Sequence, residues 1–481
     1  MMEQEQSRQW GRVVFEDPGP ITAGTLQTFT LRYVAGSMGL DENGAVRVAF
    51  IGSNDMGTPQ CTDPTAPGFV TASTKPGLRI ELRVMPNRGV RPNRLQVVAL
   101  LRDGYLSEGE EIRIIFGDQN QGGPGWRMQS HPENAFRFLV ESDPLGTGRF
   151  ATLPNAPTLR IEPAEGVRFV VVVPSRAAPG EPLRVRVKRE DALGNPLWHL
   201  DERPHLSLSS DTKLAEEVSV TAKPEHVRGV LTYTFSAPQQ PGTWRVVCRH
   251  ANEPAGWSNP LEVDAALDTA SPRYHWFDWH GQTSETGGGS GTAQEYFDFA
   301  KHYGFIAGTS HQGNDLQMSH DTWKSIVEAC NAVYEPGVFA SLNGFEWSGN
   351  TPLGGDHNVL YAEEHPPLYR CTSWVASDGT QMPEVAPVAM LYKKLRAHKA
   401  MTIPHIGGRP AELKDTDPAV ERLVELHSFW GTFEWVYEKA FASGFKVGFV
   451  CNSDGHKCRP GASYPGHASF GTLGGLTCVL R

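Results

Sequence analysis

Apolar and polar residues alternate through the first half of the chain. TFTLRYV (28–34), AVRVAF (45–50), LRIELRV (78–84), EIRIIF (111–116) and FRFLV (136–140) put apolar side chains at every second position, between turns rich in Gly, Pro, Asn and Asp. Successive side chains of a strand point to opposite faces, so the pattern predicts strands with one buried and one solvated face, as a β-sandwich needs. No stretch with a convincing 3.6-residue period interrupts them. Around Pro163-Ala164-Glu165-Gly166 the pattern restarts. VRFVVVV, LRVRVK (183–188), LTYTF (231–235) and WRVVC (244–248) follow, with turn signals at 194–196 and 239–242. The chain is therefore expected to carry a β-rich domain over 1–165 and an immunoglobulin-like sandwich over 166–265. The second run lacks a Cys…Trp…Cys signature, so only the architecture is inferred. It reads as a structural spacer in preference to a binding module, because no aromatic or acidic cluster stands out in it.

From about residue 272 the pattern changes. Short apolar runs alternate with helical periodicity, which predicts βα units and a mostly parallel α/β sheet or barrel over 272–481. Thr292-Ala-Gln-Glu295 has the spacing of a capping box. Tyr296, Phe299, Ala300 and Tyr303 then share one face, and Gly304 closes the helix. Trp323, Ile326, Val327 and Cys330 repeat that spacing, as do Val388, Leu391, Tyr392 and Leu395.

In this region the apolar runs end in potential ligands. HWFDWH ends in Asp278 and His280, which a period of two puts on one side of the strand end. Glu285 follows in a Gly/Ser/Thr-rich loop that can fold back on the same point. FIAGTSH ends in His311, FASLNGFEW carries Glu346, and MTIPH ends in His405. RLVELH carries Glu425 and His427, and VGFVCNSDGH ends in Asp454 and His456. A parallel barrel gathers the C-terminal ends of its strands around one mouth, so such residues converge however far apart in sequence. Most of the chain's 17 histidines also fall after residue 270. Any single one reads as an ordinary hydrogen-bonded histidine; the set predicts a site for Zn, Mn or Fe. His302, His320, His365 and His398 fall on helices or loops and read as surface residues. Cys451 and Cys458 flank the last stretch and read as packing.

Composition narrows the partners. At 481 residues the chain has room for about three domains. A formal net charge of -10 disfavours a nucleic-acid surface and favours a small-molecule substrate. No apolar run approaches the ~20 residues of a membrane span, and the polar start MMEQEQSRQWGRVV lacks the order of a signal peptide. Seven scattered cysteines with no C-x-x-C pair suit a reducing cytoplasm.

The order D-x-H, E, S-H, E, H, P-H, D-x-H over about 272–478 resembles the PHP (polymerase and histidinol phosphatase) superfamily, whose domain is a distorted seven-stranded barrel. FDWHGQTSE, NGFEWSG, GGDHNVLY, PHIGG and NSDGHKCRPG look most like its branch known as domain-of-unknown-function family 3604. The resemblance implies two or three divalent metal ions (Zn, Mn or Fe). Asp278, His280, Glu346 and Asp454 would hold the first, with Glu346 bridging to a second completed by His357 and His405. Glu285, His311 and His456 resemble the ligands of a third. Ser310 stands where the superfamily usually has the acid of a T-D-H triplet, which weakens that third site. His357 opens its apolar run instead of ending it, so its role rests on the resemblance.

The implied activity is hydrolysis of an anionic phosphate ester by a hydroxide bridging two ions. The same centre acting on an amide, lactone or ester is the alternative, and a metal-containing binding protein is a third reading. Arg409, four residues after His405, is either a clamp for a phosphate oxygen or an exposed loop arginine. Gly407-Gly408 would let backbone approach the site. His427 is a candidate general acid and runner-up ligand. The last strand, 476–480, has nothing to cover it. Family members typically continue beyond this point, so a partner chain or self-association is expected at that edge.

Overall fold

In the computed structural model the chain divides into two units, Met1–Glu162 with Gly287–Gly291, and Pro163–Thr286 with Thr292–Arg481. The structure describes residues 8–481 apart from 17–18, 52–54, 87–92, 94, 155, 157, 202, 211–212, 252, 269, 287, 373–383 and 463–472. None of its described helices is long and apolar enough to cross a membrane.

Four of the five alternating segments of the first unit each form one strand, whereas FRFLV (136–140) spans the end of Glu133–Arg137 and the start of Leu139–Asp143, which lie in different sheets. Arg12–Glu16, Phe29–Val34, Glu111–Phe116 and Val70–Ser73 form a four-stranded antiparallel sheet in that order. Ala151–Thr152, Leu139–Asp143, Ala45–Phe50, Leu95–Arg102 and Arg79–Met85 form a five-stranded one. Phe29, Phe50, Phe116, Trp126 and Phe138 are buried in its core, with Phe29 stacked on Phe116 at 5.1 Å and Phe50 edge-on to Trp126 at the same distance. Leu95–Arg102, one of the strands that alternation does not mark, has a nearly continuous apolar run and is buried over most of its length.

The second unit begins where the sequence pattern restarts. Arg168–Val172, Pro182–Glu190, Val230–Ser236 and Glu225–Val227 form one sheet of a sandwich. Gly242–His250 and His205–Ser210 are central in the other. Val185, Val187, Leu206, Val246 and Cys248 fill the space between. The sandwich is packed on the C-terminal region of the same unit. Val230 clusters with Tyr303 and Phe305, the Lys188 ammonium donates to the Tyr303 carbonyl at 2.6 Å, and the Tyr303 hydroxyl donates to the Arg228 carbonyl at 2.9 Å.

The C-terminal region contains β1 (Tyr274–Asp278), α1 (Ala293–His302), β2 (Gly308–Ser310), α2 (His320–Val333), β3 (Ala340–Ser348), β4 (Asp356–Tyr361), α3 (Val388–Leu395), β5 (Ala400–Pro404), β6 (Leu423–Ser428), β7 (Gly431–Thr432), α4 (Glu434–Ala442), β8 (Gly448–Cys451) and β9 (Thr477–Leu480). The capping box of α1 is formed: Thr292 Oγ1 accepts from the Glu295 amide at 3.2 Å, and Glu295 accepts from the Thr292 amide at 2.9 Å. Trp323, Ile326, Val327 and Cys330 are the buried face of α2, and Val388, Leu391, Tyr392 and Leu395 that of α3.

The strands make a curled mixed half-barrel sheet with few helices, in the order β5-β4-β3-β2-β1-β9, beside a small sheet β7-β6-β8. The mostly parallel (β/α) alternation expected from the sequence holds for β1-β2-β3 and β6-β8. It fails at β4, which pairs antiparallel with both neighbours. Residues 349–355, between β3 and β4, are too few for a parallel crossover, which takes about a dozen residues or more. Isolated parallel bridges Thr402–Glu421 and Gly281–Gly455 tie the two sheets together. β9 pairs antiparallel with β1, and its Val479 and Leu480 are 38% and 58% exposed.

Candidate metal centre

The reversal of β4 puts its first residues level with the ends of β3 and β5, in the register Ser348–Asp356 and His357–Pro404. Side chains alternate across a strand. In β3, Phe345 and Trp347 join the apolar core beneath the helices, while Glu346 lies among polar groups on the other side. In β4, Asp356 and Asn358 face as Glu346 does, and His357 faces the helices. His405 follows directly on β5, and Asp454 lies three residues past β8, held at φ 51°.

These placements bring together two adjoining sets of buried side chains. The ligand atoms of His280, His405 and Asp454 lie within 4.8 Å of one another, as do those of Glu346, Asp356 and His405. His280 Nε2 is 3.3 Å from Asp454 Oδ1 and 3.8 Å from Glu346 Oε2. His405 Nε2 is 3.9 Å from Glu346 Oε1. Backbone comes close here: a Cβ on Gly407 would meet His405 Cε1 at 2.9 Å and Asp356 Oδ2 at 3.0 Å, so the position requires glycine. Gln282 donates to Glu346 at 2.7 Å. Arg409 donates to Asp356 through its backbone N–H at 2.9 Å and through Nε at 2.6 Å, and to Glu346 through Nη2 at 3.2 Å.

Glu425 orients the first histidine. Both its oxygens lie 3.1 Å from His280 Nδ1, and Asn452 donates to it at 2.7 Å. Carboxylate oxygens accept, so Nδ1 carries the proton and Nε2 turns toward Asp454 and Glu346. This carboxylate–histidine pairing is what metal-ligating histidines use to fix tautomer and ring orientation. Among the described residues, His280 Nε2, both ring nitrogens of His405 and Asp454 Oδ1 are buried without a hydrogen-bond partner. Such groups are normally satisfied in a folded protein. Four of them within one cluster of nitrogen and carboxylate donors suit a divalent cation.

The electrostatics agree. Asp278, Glu346, Asp356, Glu425 and Asp454 are all buried. Burying ionised carboxylates costs several kcal/mol each unless positive charge compensates. Burial opposes the charged form of His280, yet the Asp454 and Glu425 carboxylates outweigh it and hold its pKa well above the usual value. For Asp356, burial and neighbouring Glu346 push the carboxyl well up. Burial would raise Glu346 too, but His280, His405 and Arg409 keep it low. His405 is pushed down by burial and by His280 beside it. A cation among these groups would take over the compensating role of protons and Arg409.

The remaining residues singled out from the sequence have other partners. The Asp278 carboxylate accepts from the amides of Ser453 (2.9 Å), Gly461 (3.0 Å) and His280 (3.4 Å). Glu285 accepts from the Ala293 amide at 2.6 Å, in the first turn of α1. His311 lies between Thr283 Oγ1 (3.0 Å from Nε2) and the Gly313 amide (3.3 Å from Nδ1). His357 lies between the Gly355 carbonyl and the Tyr392 hydroxyl, each 3.1 Å away. His456 Nδ1 is 2.8 Å from the Asp454 carbonyl, and His427 lies between Thr432 Oγ1 and the Leu473 carbonyl. None of these six belongs to either converging set. Asp356 was passed over although it stands inside GGDHNVLY; strand alternation across a reversed β4 is the signal that separates it from His357. Gln282, two residues past His280, has the period-two relation to it that the sequence pattern assigns to Asp278.

Fold and site define a mostly β, multidomain protein whose curled C-terminal sheet carries a buried His/Asp/Glu cluster able to hold metal ions. Residues 236–409 match the family described as "Protein of unknown function (DUF3604)", and the chain is also related to uncharacterised proteins of Chlamydia. One from Chlamydia pneumoniae is 22% identical over 353 residues, covering 68% of this chain and 52% of that protein. One from Chlamydia trachomatis serovar D is 23% identical over 354 residues, with the same coverage. The chain thus spans about half the length of the curated relatives it matches. Among solved structures, the Escherichia coli adhesin FdeC is 15% identical, with a TM-score of 0.21 over 57% of this chain and 70% of that one. A cohesin module from a Clostridium perfringens family 33 glycoside hydrolase is 9% identical, with a TM-score of 0.21 over 32% of this chain and 99% of the module. Superpositions this loose carry no weight for fold or function.

Proposed function

We propose that the C-terminal region is a metal-dependent hydrolase acting on a small phosphate ester. The observation that carries this reading is the convergence of buried nitrogen and carboxylate groups, of which His280 Nε2, both His405 ring nitrogens and Asp454 Oδ1 have no hydrogen-bond partner among the described residues. His280, Glu346, His405 and Asp454, with Asp356 beside them, would hold the metal. When bound, it supplies Lewis acidity and a water acidic enough to lose its proton near neutral pH. Glu425 keeps the His280 proton on Nδ1, so Nε2 is free to ligate. Gln282 holds one oxygen of Glu346 in place. Arg409, with a side chain 20% exposed, is the cation at the edge of the cluster and would meet the phosphate. The order of motifs resembling the PHP superfamily, which uses such centres on phosphate esters, supports the same reading.

One observation favours a second reading, hydrolysis of an ester, lactone or amide. Arg409 is already committed to Asp356 and Glu346, which leaves it less to offer a phosphate. Metal analysis of the purified protein followed by parallel screens of phosphomonoesters, phosphodiesters, carboxylic esters and amides separates the two. The proposal expects phosphate-ester turnover that chelator abolishes and His405→Ala does not support. Metal-dependent turnover of carboxylic esters alone would favour the second reading. A protein that binds no metal would end both.

A further inference from the structure

We propose that the β-sandwich of the second unit is a working part of the metal centre, with Asn195 and Arg459 as positioning residues for the loop that presents Asp454. The inference rests on the metal reading above, but it concerns residues outside the ligand set and changes the role of the sandwich. By composition the sandwich reads as a spacer; its contacts say otherwise.

Asp454 opens a segment, 454–461, that leaves the small sheet and returns to β1. Two of its residues, Asp454 (φ 51°) and Cys458 (φ 56°), occupy the left-handed region that side chains other than glycine rarely adopt. Such a conformation persists only where surrounding contacts over-determine it. The base of the segment is closed by Asp278, whose two oxygens accept from the amides of Ser453 and Gly461 and so clamp both ends together. The Gly455 carbonyl accepts from the Gln282 amide at 2.8 Å, which pins the start of the segment beside the strand end carrying His280.

The far side of the segment is fixed by the sandwich. Arg459 is buried, 8% exposed, and its guanidinium donates to Asn195 Oδ1 at 2.8 Å and to the Gly194 carbonyl at 2.5 Å. The two acceptors sit on one turn, so the contact has the two-pronged geometry in which a guanidinium sets orientation as well as distance. That turn is itself rigid. Asp191 accepts from the Leu193 and Asn195 amides and from Asn195 Nδ2, each at 2.8 Å, and from the Ala164 amide at 2.9 Å. Asp191 and Asn195 are both fully buried. A continuous run of hydrogen bonds therefore leads from the first residues of the sandwich, through Asp191 and Asn195, to Arg459 and the segment that carries Asp454 and His456. Removing the grip should let the strained segment relax, and the carboxylate at its start is the one 3.3 Å from His280 Nε2.

The test compares Asn195→Ala with Arg228→Ala in the full chain. Arg228 contributes an exposed ion pair with Asp298, between the same sandwich and α1, and among the described residues it makes no hydrogen bond or ion pair with the 454–461 segment. Zn2+ and Mn2+ affinities are measured by calorimetry, and amide hydrogen exchange is followed across 454–461 in metal-free protein. Asn195→Ala should weaken metal binding about 10-fold or more, the scale on which outer partners of a metal site act, and should speed exchange at Gly461. Arg228→Ala should do neither, even where it lowers the melting temperature. Unchanged affinity and exchange in Asn195→Ala overturn the inference. Should Asn195→Ala fail to fold, Arg459→Lys keeps charge and stem but loses the two-pronged grip. Weakened binding in that variant supports the positioning role, and unchanged binding refutes it. If the unaltered protein binds no metal the underlying reading falls, whereas faster exchange in Asn195→Ala would still report the clamp.

Discussion

Two groups of buried histidines lie in the curled C-terminal region, and they differ in what their nitrogens meet. His311 and His357 have a partner at each ring nitrogen: Thr283 and Gly313 for the one, Gly355 and Tyr392 for the other. Among the described residues, His280 has hydrogen-bond partners at Nδ1 only, and His405 has none at either nitrogen. All four are almost completely removed from solvent, so burial does not distinguish them. Satisfaction does. A fully bonded buried histidine adds to stability, whereas an orphaned imidazole among carboxylates is destabilising until a cation reaches it.

The largest effect expected from this contrast is a swap of phenotypes. His405→Ala should lose metal by more than the ~10–100-fold typical of removing an outer partner, while leaving the metal-free protein at least as stable. His357→Ala should keep its metal and lose roughly 2–3 kcal/mol of stability, because Tyr392 and Gly355 lose their shared partner inside the protein. Isothermal titration with Zn2+ and chemical denaturation in chelator measure the two quantities. Equal metal loss in both variants would make His357 a ligand, as the family resemblance implies, and erase the contrast.

A smaller effect isolates Glu425. Glu425→Gln keeps the shape but removes the charge that holds the proton on His280 Nδ1. Metal affinity should fall about 10–100-fold, with little change in a melt run in chelator. An unaltered affinity would mean that His280 is oriented without it.

How far such distinctions can be read from sequence depends on what sets them. Period-two alternation marks several of the longer strands of the first unit, and the Thr292–Glu295 capping box marks the start of α1, because both are local. Leu95–Arg102 escapes that reading because burial on both faces erases alternation. The reversal of β4 follows from a short connection that sequence shows only as a gap between apolar runs. That reversal decides that Asp356 and not His357 joins Glu346. Convergence of strand ends made His280, Glu346, His405 and Asp454 legible. Asp278 was indistinguishable from them, since its work is to hold the amides of residues 175 and 183 positions further along the chain. Glu425 was visible as a strand-end acid, but its partnership with His280 is tertiary.

A further effect is confined to acid. Burial pushes His311 down to about 3, whereas in the unfolded chain it titrates near the ordinary ~6.5. Between those values the unfolded state holds the extra proton. Stability from this group is therefore complete above about pH 6.5 and declines as pH falls toward 3, by at most about 1.4 kcal/mol per pH unit. His311→Asn should flatten that part of the stability profile in chelator. His280 has the opposite sign: its raised pKa contributes below pH 6.5 and fades as pH rises through the folded value. A profile unchanged by His311→Asn would remove the neutral, fully bonded histidine from the comparison.

The unpartnered nitrogens of His280 and His405, with the carboxylates around them, are held here to bind metal. Anomalous scattering at the metal edge, from crystals of protein loaded with Zn2+ or Mn2+, tests this most directly. A peak bounded by His280 Nε2, His405, Glu346 and Asp454 is expected. A crystal with no such peak, or with metal between His311 and His357 instead, would contradict it.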